Sequence, residues 1–182
     1  MFEMKTKRLL LRDFREEDLI PFRKIGNNDE ALKYYSQTPA EWGPHVEYLV
    51  KLFMESQIEV PRQKYTLAII TGGSFIGTVS VRIDSPEHRQ GSIGCVLAYK
   101  YWSQGYASEA MTAALNLGFE KLKLHRIYAE TISENRAALA LAERQAMRIE
   151  GVLRENQYFK GRWWNTTILA LLRTEWRNRA AG

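Results

Sequence analysis

The most constraining stretch of this sequence lies in its middle. From Ser92 to Ala98, apolar Ile93, Cys95 and Leu97 alternate with other side chains, the period-two signature of a strand. A short segment leads to Gly105. From Gly105 to Leu122, Ala107, Ala110, Met111, Ala114, Leu115, Gly118, Phe119 and Leu122 recur on one helical face. A helix start carries unpaired amide N–H groups and a partial positive charge, which together attract anions. The small residues Gly105, Ala107 and Ser108 let a diphosphate approach the backbone closely. The segment has no GxxxxGK[ST] pattern, so it is not a nucleotide-hydrolysing loop, and GxGxxG is absent too.

The flanking sequence alternates strands and helices. Thr6–Asp13 is expected to form a first strand, followed by a helix that opens on Glu16, Glu17 and Asp18 and runs to about Ile25. Gly26, Asn27 and Asn28 break it. A second helix is expected over Pro44–Gln57, with Val46, Leu49, Val50 and Phe53 on one face. Tyr65–Ile70 and Phe75–Ile83 flank Gly72-Gly73, a hairpin signal. After the central strand and helix come a strand at Arg126–Ile132 and an alanine-rich helix from Asn135 to about Gln145. A closing hairpin pairs Ile149–Phe159 with Trp163–Leu172 around Lys160-Gly161. This pattern implies an α+β chain with a mostly antiparallel sheet, folded as one domain over residues 1–182.

Composition narrows the function classes. A single cysteine, Cys95, excludes an internal disulfide, and without a secretory segment the expected compartment is the cytoplasm. The three histidines share no ligand spacing, so no metal site is expected. Apolar runs stay well short of a membrane span. A net charge of +5 suits an anionic ligand, but the arginines are scattered, which argues against nucleic acid as a partner.

The run "GCVLAYKYWSQGYASEAM" resembles the acetyl-CoA-binding signature of the GNAT acetyltransferase superfamily, [Q/R]-x-x-G-x-[G/A], here Trp102-Ser103-Gln104-Gly105-Tyr106-Ala107. The aromatic first position resembles the branch of ribosomal-protein N-terminal acetyltransferases. So do "TKRLLLRDFREEDL", "HRIYAETISENRAALALAE" and "GVLRENQYFKGRWWNTTILALLRTEW". The resemblance implies a GNAT-like fold with a mixed, mostly antiparallel sheet, splayed between its fourth and fifth strands, and helices on both faces. It implies acetyl transfer from acetyl-CoA to a primary amine, either a protein N-terminus or a small molecule. It also implies cofactor contacts at Cys95, Val96, Leu97, Trp102, Gln104, Gly105, Tyr106, Ala107, Ser108 and Asn135. Within that set, the Cys95 N–H would meet the thioester carbonyl, and the Leu97 backbone would meet the amides of the pantetheine arm. Amides of Gln104 to Ser108 would hold the diphosphate, and the Asn135 side chain would reach the arm.

The proton-transfer positions depart from the family. Ser92 stands where a glutamate base is usual, Ala142 where a tyrosine acid is usual, and Ala138 where the branch's serine falls. Catalytic candidates are therefore Glu130, Ser92 and Tyr128, with His88 and Tyr158 behind them. A non-catalytic acyl-CoA-binding module is the alternative. Cys95 is expected to be a core thiol between apolar neighbours rather than a nucleophile. The Trp163-Trp164 doublet must place one ring on each face of its strand. A homodimer through the closing hairpin is also an expectation.

Overall fold

The computed structural model describes residues 1–179. Eight strands form one sheet: β1 (Glu3–Lys5), β2 (Leu10–Asp13), β3 (Lys64–Thr71), β4 (Ser74–Ser85), β5 (Gln90–Leu97), β6 (Arg126–Ile132), β7 (Arg148–Phe159) and β8 (Arg162–Leu172). The spatial order is β1-β2-β3-β4-β5-β6-β8-β7. All neighbours are antiparallel except β5 and β6. The fold is thus α+β, with the expected mixed and mainly antiparallel sheet.

Period-two alternation sends the strand residues into two cores. Leu67, Ile69, Val79, Val81, Ile93 and Leu97 face one side, with Ala110, Met111, Ala114 and Leu115 of α4 (Tyr106–Asn116) and Ala142 of α5 (Arg136–Arg144). Ala68, Ile70, Val96 and Ala98 face the other side. There they meet Phe22 of α1 (Leu19–Arg23), Ala31 and Leu32 of α2 (Asp29–Leu32), and Trp42, Val46 and Val50 of α3 (Pro39–Ser56). A last helix, α6 (Arg173–Arg179), follows β8.

Several boundaries differ from those read in the sequence, each for a local reason. The first strand divides because Thr6 bonds back to Leu9, its N–H donating to the Leu9 carbonyl and its Oγ1 accepting from the Leu9 N–H, which makes a turn between β1 and β2. The acidic segment from Glu16 begins as a 3-10 turn over Glu16–Asp18 before α1, and a second such turn spans Lys24–Asn27. Asn28, read as a breaker, also caps α2 through bonds from the Glu30 and Ala31 amides. Helix α3 starts at Pro39 rather than Pro44. A Thr38–Glu41 capping box fixes the earlier start, leaving Pro44 inside at the cost of one backbone bond. The central helix keeps α geometry to Asn116 and then widens to a π turn over Leu117–Lys121, where the Leu122 N–H reaches the Leu117 carbonyl.

The fork between β5 and β6 positions the site. The two strands pair only at Gln90–Arg126, Gly91–Ile127 and Ser92–Tyr128, and beyond those residues they diverge. Each is fully paired on its other side, β5 with β4 and β6 with β8. The sheet is therefore splayed where the sequence resemblance implied, between its Ser92–Ala98 and Arg126–Ile132 segments.

Candidate functional site

The ladder decides which backbone groups face the fork. The Ala98 N–H donates to the Ile76 carbonyl on the β4 side. Hydrogen-bonding direction alternates along a strand, so the peptide groups of Cys95 and Leu97 point away from β4, into the opening, whereas the Ile93 N–H, on the same side, serves the last β5–β6 pair at Ser92–Tyr128. Backbone groups left unpaired in this way need a partner, either water or a ligand. The Leu97 carbonyl has one already, since Trp102 Nε1 donates to it at 2.9 Å. Val96 turns its own peptide groups to β4 and its side chain to the α3 face.

At the end of the fork stands the head of α4. Ser103 has φ +59° and Gly105 has φ +80°, so the loop turns tightly into the helix. Gly105 is the N-cap and has no side chain of its own to cap the helix, and among the described residues no side chain is seen bonded to the amides behind it. Gln104 and Gly105 are exposed, and the Gln104 side chain folds back onto the Lys100 carbonyl at 2.8 Å. The head of the helix is open to solvent and unplugged. Tyr106 and Ala107 are partly buried beneath it. The Ser108 hydroxyl is held by Gln145 Nε2 at 2.9 Å, and Gln145 also reaches the Ser108 carbonyl.

Arg8, which the sequence did not single out, braces this loop. Its Nη1 donates to the Gln104 carbonyl at 2.9 Å and its Nε to Glu109 at 2.7 Å, while its guanidinium lies 4.4 Å from the centre of the Tyr106 ring. Nothing in local periodicity marked it, because its partners are distant in sequence.

A cavity of about 600 Å³ passes through the fork. On the α4 and α5 side it is lined by Met111, Ala138, Leu141, Ala142 and Asn135, and on the α3 side by Tyr35, Trp42, His45, Leu49 and Phe53. Gly94, Cys95 and Val96 form one wall, and Ala129, Glu130 and Thr131 the other. Asn135 uses Oδ1 to cap α5, accepting from the Ala138 N–H at 3.1 Å. Trp42 is both core and pocket wall, being 2% exposed and part of the cavity wall.

The candidate catalytic residues separate here. Glu130 lines the cavity and is exposed. Ser92 does not line it. It is buried in the sheet, and Arg82 Nε donates to its hydroxyl at 3.1 Å. Tyr128 lies on the paired part of β6, outside the lining, with Arg126 5.3 Å over its ring. Its phenol is raised by burial, with Asp84 the next cause. His88 is exposed in the β4–β5 turn, and Tyr158, itself exposed on β7, packs against Trp163 with the rings tilted at 60°. Only Glu130 of this set reaches the cavity; register puts the others elsewhere. Of the tryptophan doublet, Trp164 is buried at 6% and Trp163 exposed at 57%, one on each face as alternation requires.

The cysteine is a poor nucleophile. Burial pushes the Cys95 thiol up to about 12. Tyr35, also missed by sequence reasoning, shares that environment. Its phenol rises to about 12, chiefly by burial and next by the nearby Cys95.

Comparison with known proteins fits this geometry. The acetyltransferase (GNAT) domain family model matches residues 8–148. The uncharacterized N-acetyltransferase p20 of Bacillus licheniformis is 27% identical over 176 residues, covering 97% of this chain and 99% of its own. The spermidine N(1)-acetyltransferase of Vibrio cholerae is 25% identical over 175 residues, covering 96% and 99%. The crystal structure of spermidine N-acetyltransferase from Vibrio cholerae, in complex with CoA and spermine, superposes with a TM-score of 0.80 at 24% identity. That match covers 95% of this chain and 100% of the other.

Proposed function

Because the chain belongs to the GNAT acetyltransferase domain family, we propose that it is an enzyme that transfers the acetyl group of acetyl-CoA to a primary amine. The observation that carries this reading is the cavity at the fork, which is lined from the α4 and α5 side and from the α3 side. A cofactor entering from one side and an amine from the other would meet in line. Such an arrangement supplies rate mainly by proximity.

In this reading the amides of Gln104 to Ser108 hold the diphosphate, and Tyr106 and Ala107 leave room for it. The pantetheine arm runs along Cys95, Val96 and Leu97. Because the Leu97 carbonyl serves Trp102, the Leu97 N–H is the group free for the arm. Asn135 keeps its Nδ2 for the same purpose. The Cys95 N–H points into the opening and stabilises the oxyanion that forms at the thioester carbonyl. The amine nitrogen attacks that carbon, the C–N bond forms, the C–S bond breaks, and coenzyme A leaves with the electron pair on sulfur. Among the described residues Glu130 is the one carboxylate in the lining; it receives the first ammonium proton through water before the attack, and water takes the second from the nitrogen once the C–N bond has formed.

The acceptor reading follows from charge. Glu130 shares the lining with Arg82 and His45, and among the described residues a polycation finds a single carboxylate there. This favours a monoamine and agrees with a protein N-terminus, the acceptor of the ribosomal-protein branch. The reading extends to a cytoplasmic enzyme built as one domain. It also extends to a homodimer across β7, which exposes Ile149, Val152 and Leu153. The test is release of free thiol from acetyl-CoA with a panel of N-terminal peptides, small amines and polyamines. Turnover with a member of the panel is expected. Tight CoA binding with no turnover on any amine would instead favour the non-catalytic binding module.

A further inference from the structure

The α5 residues that line the cavity are Ala138, Leu141 and Ala142, and none of these side chains can donate a proton or hydrogen bond to the departing sulfur. The cavity supplies a donor from the opposite face. Two tyrosines line it, Tyr34 and Tyr35. The Tyr34 hydroxyl is committed, donating to the Glu134 carbonyl at 2.9 Å. Tyr35 is held edge-on against Trp42 with ring centres 5.5 Å apart, and it lies near Cys95, whose backbone N–H faces the fork. No hydrogen-bond partner of the Tyr35 hydroxyl is found among the described residues, though the group lines a cavity that other polar groups share. The charged or titratable groups in the same lining are His45, Arg82, Cys95, Glu130 and Tyr34.

We propose that Tyr35 donates a hydrogen bond to the sulfur of coenzyme A as the C–S bond breaks, stabilising the thiolate from the α3 side of the fork. The inference rests on the acetyltransferase reading and adds a residue and a role to it. Magnitudes decide between hydrogen bonding and full proton transfer. A simple thiol has a pKa of about 8.5, whereas burial pushes the Tyr35 phenol up to about 12. The proton therefore stays on Tyr35. The sulfur takes the electron pair of the broken bond and leaves as thiolate; the nitrogen gives up one proton through water before it attacks and a second after the C–N bond forms, so the ammonium and thioester become a neutral amide, a thiolate and two protons.

The test uses free coenzyme A and reads the thiol of the bound molecule by the ultraviolet absorbance of its thiolate across pH. Bound to the wild-type protein, the thiol should ionise at lower pH than in free coenzyme A. In Tyr35→Phe its pKa should rise by about one unit relative to wild type, and kcat should fall about tenfold with KM for acetyl-CoA unchanged. A role in packing alone would move neither the thiol pKa nor kcat against KM in this way. Equal thiol pKa values in wild type and Tyr35→Phe overturn the proposal. If Tyr35→Phe fails to fold, the wild-type measurement decides alone: a bound thiol no more acidic than the free one overturns it. Failure of the wild-type protein to bind coenzyme A would sink the acetyltransferase reading itself, whereas binding and turnover that ignore Tyr35 would sink only this inference.

Discussion

Gly105 holds its φ of +80° with Arg8 Nη2 only 3.2 Å from where a β-carbon would sit. A side chain there is strained by the backbone and crowds the loop. Gly105→Asp adds a negative charge as well, at the point proposed for the diphosphate. Its affinity for coenzyme A, by titration calorimetry, should fall by at least about tenfold, of the order expected from losing one charged hydrogen-bonding contact. Cys95→Ala should behave in the opposite way. The thiol stays protonated at neutral pH because burial raises it to about 12, so turnover should persist with a small loss of thermal stability. Loss of turnover with an intact fold would point to an acyl-cysteine route. Gly105 and Cys95 were legible because local pattern marks them: a glycine before an amphipathic run, and a thiol between apolar strand neighbours. Tyr35 and Gln145 were not. Gln145 is fully buried and joins α5 to Ser108 and Thr112 of α4, a role that exists only once the two helices meet.

Elements are tied together at the same place. The Glu109 carboxylate, in the first turn of α4, accepts from Thr6 Oγ1 at 2.6 Å and from Arg8 N at 2.8 Å, while its other oxygen takes Arg8 Nε. This clamp binds the β1–β2 turn to the helix head. Burial works against the ionised form here, but the Thr6 and Arg8 donors outweigh it and the carboxyl is held low. A depressed carboxylate contributes stability above its unfolded pKa and loses it as pH falls through the folded one. Glu109→Gln should therefore lower stability by about 1 kcal/mol at neutral pH. Its melting temperature should converge on that of the wild type as pH drops below about 4. A constant gap across that range would mean that ionisation of Glu109 is not what matters. The element types were readable from periodicity. Their ends were less so, because capping by Thr38 and the back-bonding of Thr6 compete locally with the longer pattern.

For the whole molecule, hydrophobic alternation implied the layers but not the order of the strands. The sheet order and the divergence of β5 from β6 depend on pairings between distant segments. The family resemblance supplied that divergence. Hydrophobic period supplied only the knowledge that each strand had two faces to bury. The fork has a mechanical consequence. Between Ile93 and Leu97 the sheet lacks cross-links to β6, and a polyamide arm of suitable length would restore them, acting as a partial ninth strand. The ligand then counts as part of the architecture rather than as cargo. Deuterium exchange at the Cys95 and Leu97 amides should slow when coenzyme A is added, while Val96, already paired with β4, should change little. At a hundredfold excess over Kd the molecule should gain about 2.7 kcal/mol. Equal exchange with and without the ligand would mean that the gap is bridged by something else.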